Sequence, residues 1–206
     1  MIPSDAIPIA AAALIWMFIL VDLSSRTRKV RQKLFLLKQQ VPDSVLAVFF
    51  VSCGLKGSVS GVPFSITVTP GGNRSSPKIV IACARKTPFK LVILRNEPQS
   101  DFFARLAHIP VLSAVRKTND PHFDTRFCIY SHNTTDVTGY FYNSARKAAV
   151  QKIFDLGYTV LEFKGTAVTA RKHEYDAEQD LQADVLKTAL DKVIVLAKGF
   201  NSGAAQ

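Results

Sequence analysis

Residues Ala6 to Val21 read AIPIAAAALIWMFILV, a run of 16 residues without a charge. Arg26, Arg28, Lys29, Arg31 and Lys33 come directly after it, and no Lys or Arg precedes it. Such a run must be buried in a core or given to lipid. Extended to Ile2 and Leu23 it covers roughly 33 Å as a helix, against a hydrocarbon thickness of ~30 Å. Asp5 and Asp22 then fall near the two interfaces, and Pro8 lies in the first turns, where its missing N–H costs least. A cleaved signal peptide needs a basic leader and a small-x-small site. The leader MIPSDAIP has an acid and no base, and Val21-Asp22-Leu23-Ser24-Ser25 is a poor site. The sequence therefore predicts an uncleaved single-pass anchor over residues 1–24. The positive-inside rule puts the N-terminus outside and the rest in the cytoplasm.

Trp16 sits near the middle of this run, away from the interface that tryptophan prefers. It is a lipid-facing side chain or a candidate contact with another membrane helix. Residues 25–42 form a basic juxtamembrane segment. Within it Val30, Leu34, Leu37 and Val41 follow 4-3-4 spacing, one face of a helix. Arg26, Arg28, Lys29, Arg31, Lys33 and Lys38 are the candidate membrane-surface residues. Each contributes about 1 kcal/mol near an anionic leaflet.

Residues 43–199 read as one α+β domain, with 200–206 as a mobile tail. Pro42-Asp43-Ser44 is a helix-start signal, and VLAVFFVSC after it reads as a buried helix ended by Gly54. Phe64, Ile66 and Val68 alternate with Ser65, Thr67 and Thr69, a half-buried strand. Lys78–Ala84 and Phe89–Leu94 add strands, so a three-strand meander is expected, followed by a short helix from Asp101 to Leu106. Then come a strand at Arg126–Ser131, a helix at Thr135–Leu156, a hairpin across Lys164-Gly165 and a last helix from about Asp176 to Lys198. Irregular alternation of helices and strands argues against a doubly wound parallel sheet. The expected fold is thus a transmembrane helix, then a mixed or antiparallel sheet packed against two or more helices.

No phosphate loop, dinucleotide fingerprint, HExxH, CxxC or GxSxG occurs. Cys53, Cys83 and Cys128 lack paired spacing and sit in apolar surroundings, where thiols behave as small hydrophobes. Asp120-Pro121-His122-Phe123-Asp124 could offer acid/base or metal-binding groups, with His132 or His173 as further members. The simpler reading is a turn into a strand: Asp120 accepts backbone N–H bonds, Pro121 fixes the turn, Phe123 and Phe127 pack inward, and Asp124 pairs with Arg126 or another basic group. No catalytic residue, metal ligand or cofactor is expected. Lys and Arg total 26 against 16 Asp and Glu, a formal charge of +10. That balance favours anionic partners. Six of the bases crowd the juxtamembrane segment, and no aromatic-basic motif accompanies the others, so nucleic acid is not the expected partner.

The run Asn119 to Phe127, followed by Cys-Ile-Tyr-Ser, resembles an uncharacterised bacterial family of membrane-anchored domains. These carry a D-P-x-F-D-x-x-F segment entering a strand, then a helix, a hairpin and a C-terminal helix. Gly61-Val62-Pro63-Phe64 and Gly54-Leu55 are similar as well, and the likeness runs from about Asp43 to Gly199. The resemblance implies a bacterial inner-membrane location and an α+β domain, and it carries no catalytic residues. The function expected is a non-enzymatic accessory or scaffold subunit, docked on an anionic bilayer and a membrane protein complex. A membrane-anchored ligand-binding or sensor module is the alternative. A hydrolase or metal enzyme centred on Asp120, His122 and Asp124 comes third.

Overall fold

The computed structural model describes residues 24–49, 52–71, 76–96, 114–131 and 137–199. Helix α1 covers 24–40. Five strands follow: β1 (Ser44–Val48), β2 (Cys53–Val59), β3 (Val62–Thr69), β4 (Lys78–Ala84) and β5 (Lys90–Arg95). The second half runs β6 (Ala114–Arg116), α2 (Pro121–Arg126), β7 (Phe127–Ser131), α3 (Val137–Phe141), α4 (Ser144–Asp155), β8 (Val160–Lys164), β9 (Ala167–His173) and α5 (Ala183–Lys198).

All nine strands join one sheet in the order β1-β2-β3-β4-β9-β8-β5-β7-β6, and every pairing is antiparallel. The expected meander breaks between β4 and β5, because the β8–β9 hairpin inserts there. The loop after β4 is stitched to the turn of that hairpin: Arg85 N–H donates to Thr166 O and Thr87 N–H to Gly165 O, both at 2.9 Å. Period-two alternation identifies a strand and its buried face but says nothing about its neighbour.

One face of the sheet carries the main core. Leu55, Ile66, Ile81, Ala170, Leu161, Ile93 and Ile129 lie across it in register and each is fully buried. Val30, Leu34 and Leu37 of α1, Val150, Ile153 and Phe154 of α4, and Leu186, Leu190 and Val193 of α5 belong to the same cluster. A smaller cluster of Val92, Leu94 and Val160, with Tyr130 packed against it, lies on the other face.

Local chemistry explains most boundaries. Ser60 and Gly61 both have positive φ, 51° and 75°, and form a two-residue turn whose twist suits the β2–β3 hairpin. At Gly57 an added Cβ would lie 2.9 Å from Ser44 Cα, so the missing side chain is what lets β1 lie against β2. Within VLAVFFVSC, expected as a helix, Val45 to Val48 lie in β1 and Cys53 opens β2 instead; β-branched residues favour the pleated state. The expected helix over Thr135–Leu156 is two helices, because Asn143 accepts from Ala145 N–H and starts α4 afresh. The last helix begins at Ala183, not Asp176. Asp176 spends its carboxylate on the amides of Glu178 and Gln179 in a preceding loop. The expected short helix at 101–106 lies outside the described residues.

The expected transmembrane helix and the single-pass inner-membrane placement, N-terminus outside and domain cytoplasmic, are corrected. Among the described residues no helix is long and apolar enough to cross a membrane. The first described helix, α1, buries one apolar stripe and carries six basic residues, so it can bury a face in a core but not a whole girth in lipid. Residues 1–23, including Trp16, lie outside the described residues.

Candidate functional site

The Asp120–Phe127 segment is a short capped helix where a turn was expected. Asp120 is the N-cap of α2 and accepts from Phe123 N–H at 3.2 Å. Pro121 occupies the first turn, where no donor is needed. The second Asp120 oxygen is ion-paired with Lys147 of α4. That hydrogen bond, reinforced by the Phe123 amide, holds the Asp120 carboxyl below its ordinary pKa. Asp124 does not pair with Arg126. It accepts from Thr118 N–H and Thr118 Oγ1 at 3.0 and 2.9 Å. Arg126 meets Asp155 at 3.3 Å instead. Phe123 and Phe127 are buried with their rings 4.8 Å apart. His122 is exposed; its carbonyl accepts from Thr125 Oγ1 at 2.9 Å, and its backbone adds a hydrogen bond to the Asp120 carboxylate. Both carboxylates thus hold backbone and neighbouring helices. Among the described residues no three His, Cys, Asp or Glu side chains gather as a metal site. His132 lies outside the described residues.

The thiols are similarly enclosed. Cys53 and Cys83 are buried and Cys128 is half-buried. Burial pushes the Cys83 thiol up to about 12. It raises Cys53 as well, with the Arg31 charge acting in the opposite direction. Such thiols are poor nucleophiles.

Helix α1 presents the more informative surface. Its inward stripe of Val30, Leu34 and Leu37, continued by Val41, is at most 5% exposed. The six basic residues divide around it. Lys33 pairs with Glu178 at 3.0 Å, and Arg26 donates to Gly71 O at 3.3 Å. Gln40, one turn beyond Leu36, donates to Asp184 at 2.8 Å. The Lys33 and Gln40 bonds seam α1 to the start of α5 and the loop before it, and the Arg26 bond ties α1 to the segment after β3. Arg28, Arg31, Gln32, Phe35 and Leu36 lie elsewhere, at offsets 0, 3, 4, 7 and 8, which define a second helical face. They line an open hollow of about 450 Å³. Phe35 and Leu36 are 51% and 50% exposed.

The β1–β2 hairpin ends beneath the first turns of α1. Cys53 Sγ donates to Thr27 O at 3.7 Å, and Cys53 pairs with Val48 across the hairpin. Phe49, the residue after β1, is 52% exposed at this end. Guanidinium groups and exposed aromatic carbon therefore occur together along the outward face of α1. Arg28, Arg31, Lys29 and Lys38 could be found from sequence as a basic run. Phe35, Leu36 and Phe49 were missed. The signal for the first two was their departure from the 4-3-4 stripe; Phe49 was assigned to a buried helix.

No protein-family model and no curated protein sequence matches the chain. Among solved structures, the crystal structure of the mycobacterial trehalose monomycolate transport factor A, TtfA, is similar at 12% identity. The match covers 82% of this chain and 97% of that one, with a TM-score of 0.45.

Proposed function

We propose that this chain is a non-catalytic accessory protein whose domain docks on an anionic lipid surface beside a membrane protein complex. The outward face of α1 carries the reading: Arg28 and Arg31 precede exposed Phe35 and Leu36 along one open hollow. Cations beside exposed apolar groups match a bilayer interface. The guanidinium groups meet phosphates, and the aromatic and aliphatic carbon enters the headgroup–acyl boundary. Lys29 is exposed on the same helix, and Phe49 adds an aromatic side chain from the β1–β2 hairpin. The scaffold role follows from the division of labour in α1. One stripe is fixed in the core, so whatever the other stripe binds is held rigidly against the sheet. The carboxylates nearest to a catalytic pattern, Asp120 and Asp124, are engaged in capping and loop bonds, which further supports a non-enzymatic role.

The test is flotation of the full chain with phosphatidylglycerol-containing vesicles and with pure phosphatidylcholine vesicles. Preferential, salt-sensitive binding to the anionic vesicles is expected. Replacing Arg28 and Arg31 together by Glu should remove the preference, and Phe35→Ser should weaken binding to the anionic vesicles without changing its salt dependence. Equal binding to both vesicle types, unchanged by the double reversal, would sink the proposal.

A further inference from the structure

The two edges of the sheet differ in how they are finished. At one end β6 carries Arg116 among its three described residues, a charge of the kind that discourages further pairing at an edge. At the other end β1 is Ser-Val-Leu-Ala-Val, without charge, proline or glycine. Among the described residues it pairs with β2 alone. Phe49 N–H donates to Ser52 O at 2.8 Å, which sets the phase of the ladder. Hydrogen-bonded and outward-pointing residues alternate along an antiparallel edge. Ala47 and Val45 therefore bond to β2, while Val48 and Leu46 direct their N–H and C=O groups away from the sheet. Val45 and Val48 are 69% and 49% exposed.

Charge selects what such an edge can accept. From Ser44 to Asn96 the sequence has no Asp or Glu, but contains Lys56, Arg74, Lys78, Arg85, Lys86, Lys90 and Arg95. Strands β1 to β5 come from this acid-free stretch. Lys56 stands directly across from Val45 and is exposed, and no ion pair to it occurs among the described residues. Pairing with a second copy would bring Lys56 of each chain to one junction with no acid on β1 or β2, which opposes self-pairing.

We propose that the free edge of β1 accepts an extended acidic segment of a partner protein as a further antiparallel or parallel strand. Main-chain hydrogen bonds to Leu46 and Val48 supply the attachment. Alternate apolar side chains cover Leu46 and Val48, and the acidic side chains between them lie on the face of Val45 and meet Lys56. The inference stands apart from lipid docking, since it uses a strand edge and not the outward face of α1.

The experiment uses the full chain and two labelled short peptides, one alternating Val and Glu, the other Val and Lys. Fluorescence anisotropy should show the Val–Glu peptide binding roughly tenfold or more tightly than the Val–Lys peptide. Lys56→Glu should narrow or invert that preference. Val48→Pro, which deletes an outward N–H at an exposed position, should cost roughly tenfold or more in affinity. Hydrogen exchange of the wild-type chain gives a second readout that needs no variant: the amides of Leu46 and Val48 should slow when the Val–Glu peptide is added. Binding without that protection, or equal binding of both peptides, would overturn the proposal. So would a concentration-dependent dimer that Val48→Pro dissociates, since the edge would then belong to a second copy.

Discussion

The Tyr140 hydroxyl donates to the Leu196 carbonyl at 2.7 Å, across 56 residues of sequence. The bond joins α3 to the last turn of α5, and burial keeps the phenol protonated by raising its pKa. Arg146 completes the joint. Its guanidinium stacks 4.4 Å from the Tyr140 ring centre and donates to Tyr140 O and Gly199 O at 2.8 Å each. Tyr140→Phe keeps the ring and leaves the Leu196 carbonyl with the longer bond from Gly199 N–H, at 3.3 Å. The expected loss is about 1–2 kcal/mol of unfolding free energy, read by urea denaturation. An unchanged midpoint would mean that water replaces the hydroxyl.

Phe127 lies between two aromatic partners, with ring centres 4.8 Å from Phe123 and 5.0 Å from Phe154. It is 2% exposed. Truncation to Ala should cost about 3–5 kcal/mol. Phe127→Leu should cost clearly less, since most of the volume is retained. Similar losses for both variants would point to the aromatic geometry, not the volume, as the important property.

Asp120→Asn separates the cap of α2 from its charge, because Asn also caps helices well. The carboxyl pKa is lowered in the folded protein, so its charge stabilises the fold above the unfolded value of about 3.9. That contribution disappears as pH falls through the lower folded value. Wild type should therefore be more stable than Asp120→Asn at neutral pH, and the two should converge in strong acid. A gap that persists in acid would assign the effect to the cap.

Cys83 is buried with its thiol raised to about 12, whereas Cys128 is half-buried. Thiolate is the reactive form, so Cys128 should be alkylated by iodoacetamide well before Cys83, as mass spectrometry would show. Because the folded Cys83 pKa is raised, its contribution to stability is present below the unfolded value of about 8.5 and is lost as pH rises towards the folded value. Rapid labelling of Cys83 in the native protein at neutral pH would show that β4 opens readily.

Legibility of this sequence followed the range of the forces involved. Val30, Leu34, Leu37 and Val41 were readable as one helical face, and Phe64, Ile66 and Val68 as one strand face, because each pattern repeats within a few residues. The same holds for Leu186, Leu190 and Val193 in α5. The insertion of β8 and β9 between β4 and β5 was not readable, since it depends on pairs such as Val80 with Arg171, far apart in the chain. VLAVFFVSC misled because a short apolar run has no period that separates strand from helix. Asp120 was read as a backbone acceptor at its own position, but Lys147 could not be named in advance, because the contact crosses from α2 to α4. The surface residues Phe35 and Leu36 lay in plain view. Their meaning depended on knowing that Val30 and Leu34 face inward, which fixes the opposite side of the helix as the one left over.

The unequal edges of the sheet limit the stoichiometry of anything built on them. A sheet with two open edges can be extended at both ends, and such growth has no natural stop. Among the described residues β6 carries a charge while β1 is bare, so β1 is the edge that invites extension. If the partner segment in turn offers no bare edge, the complex is closed at one to one. Even accidental pairing of two copies through β1 would consume both open edges and leave a finite pair, not a fibre.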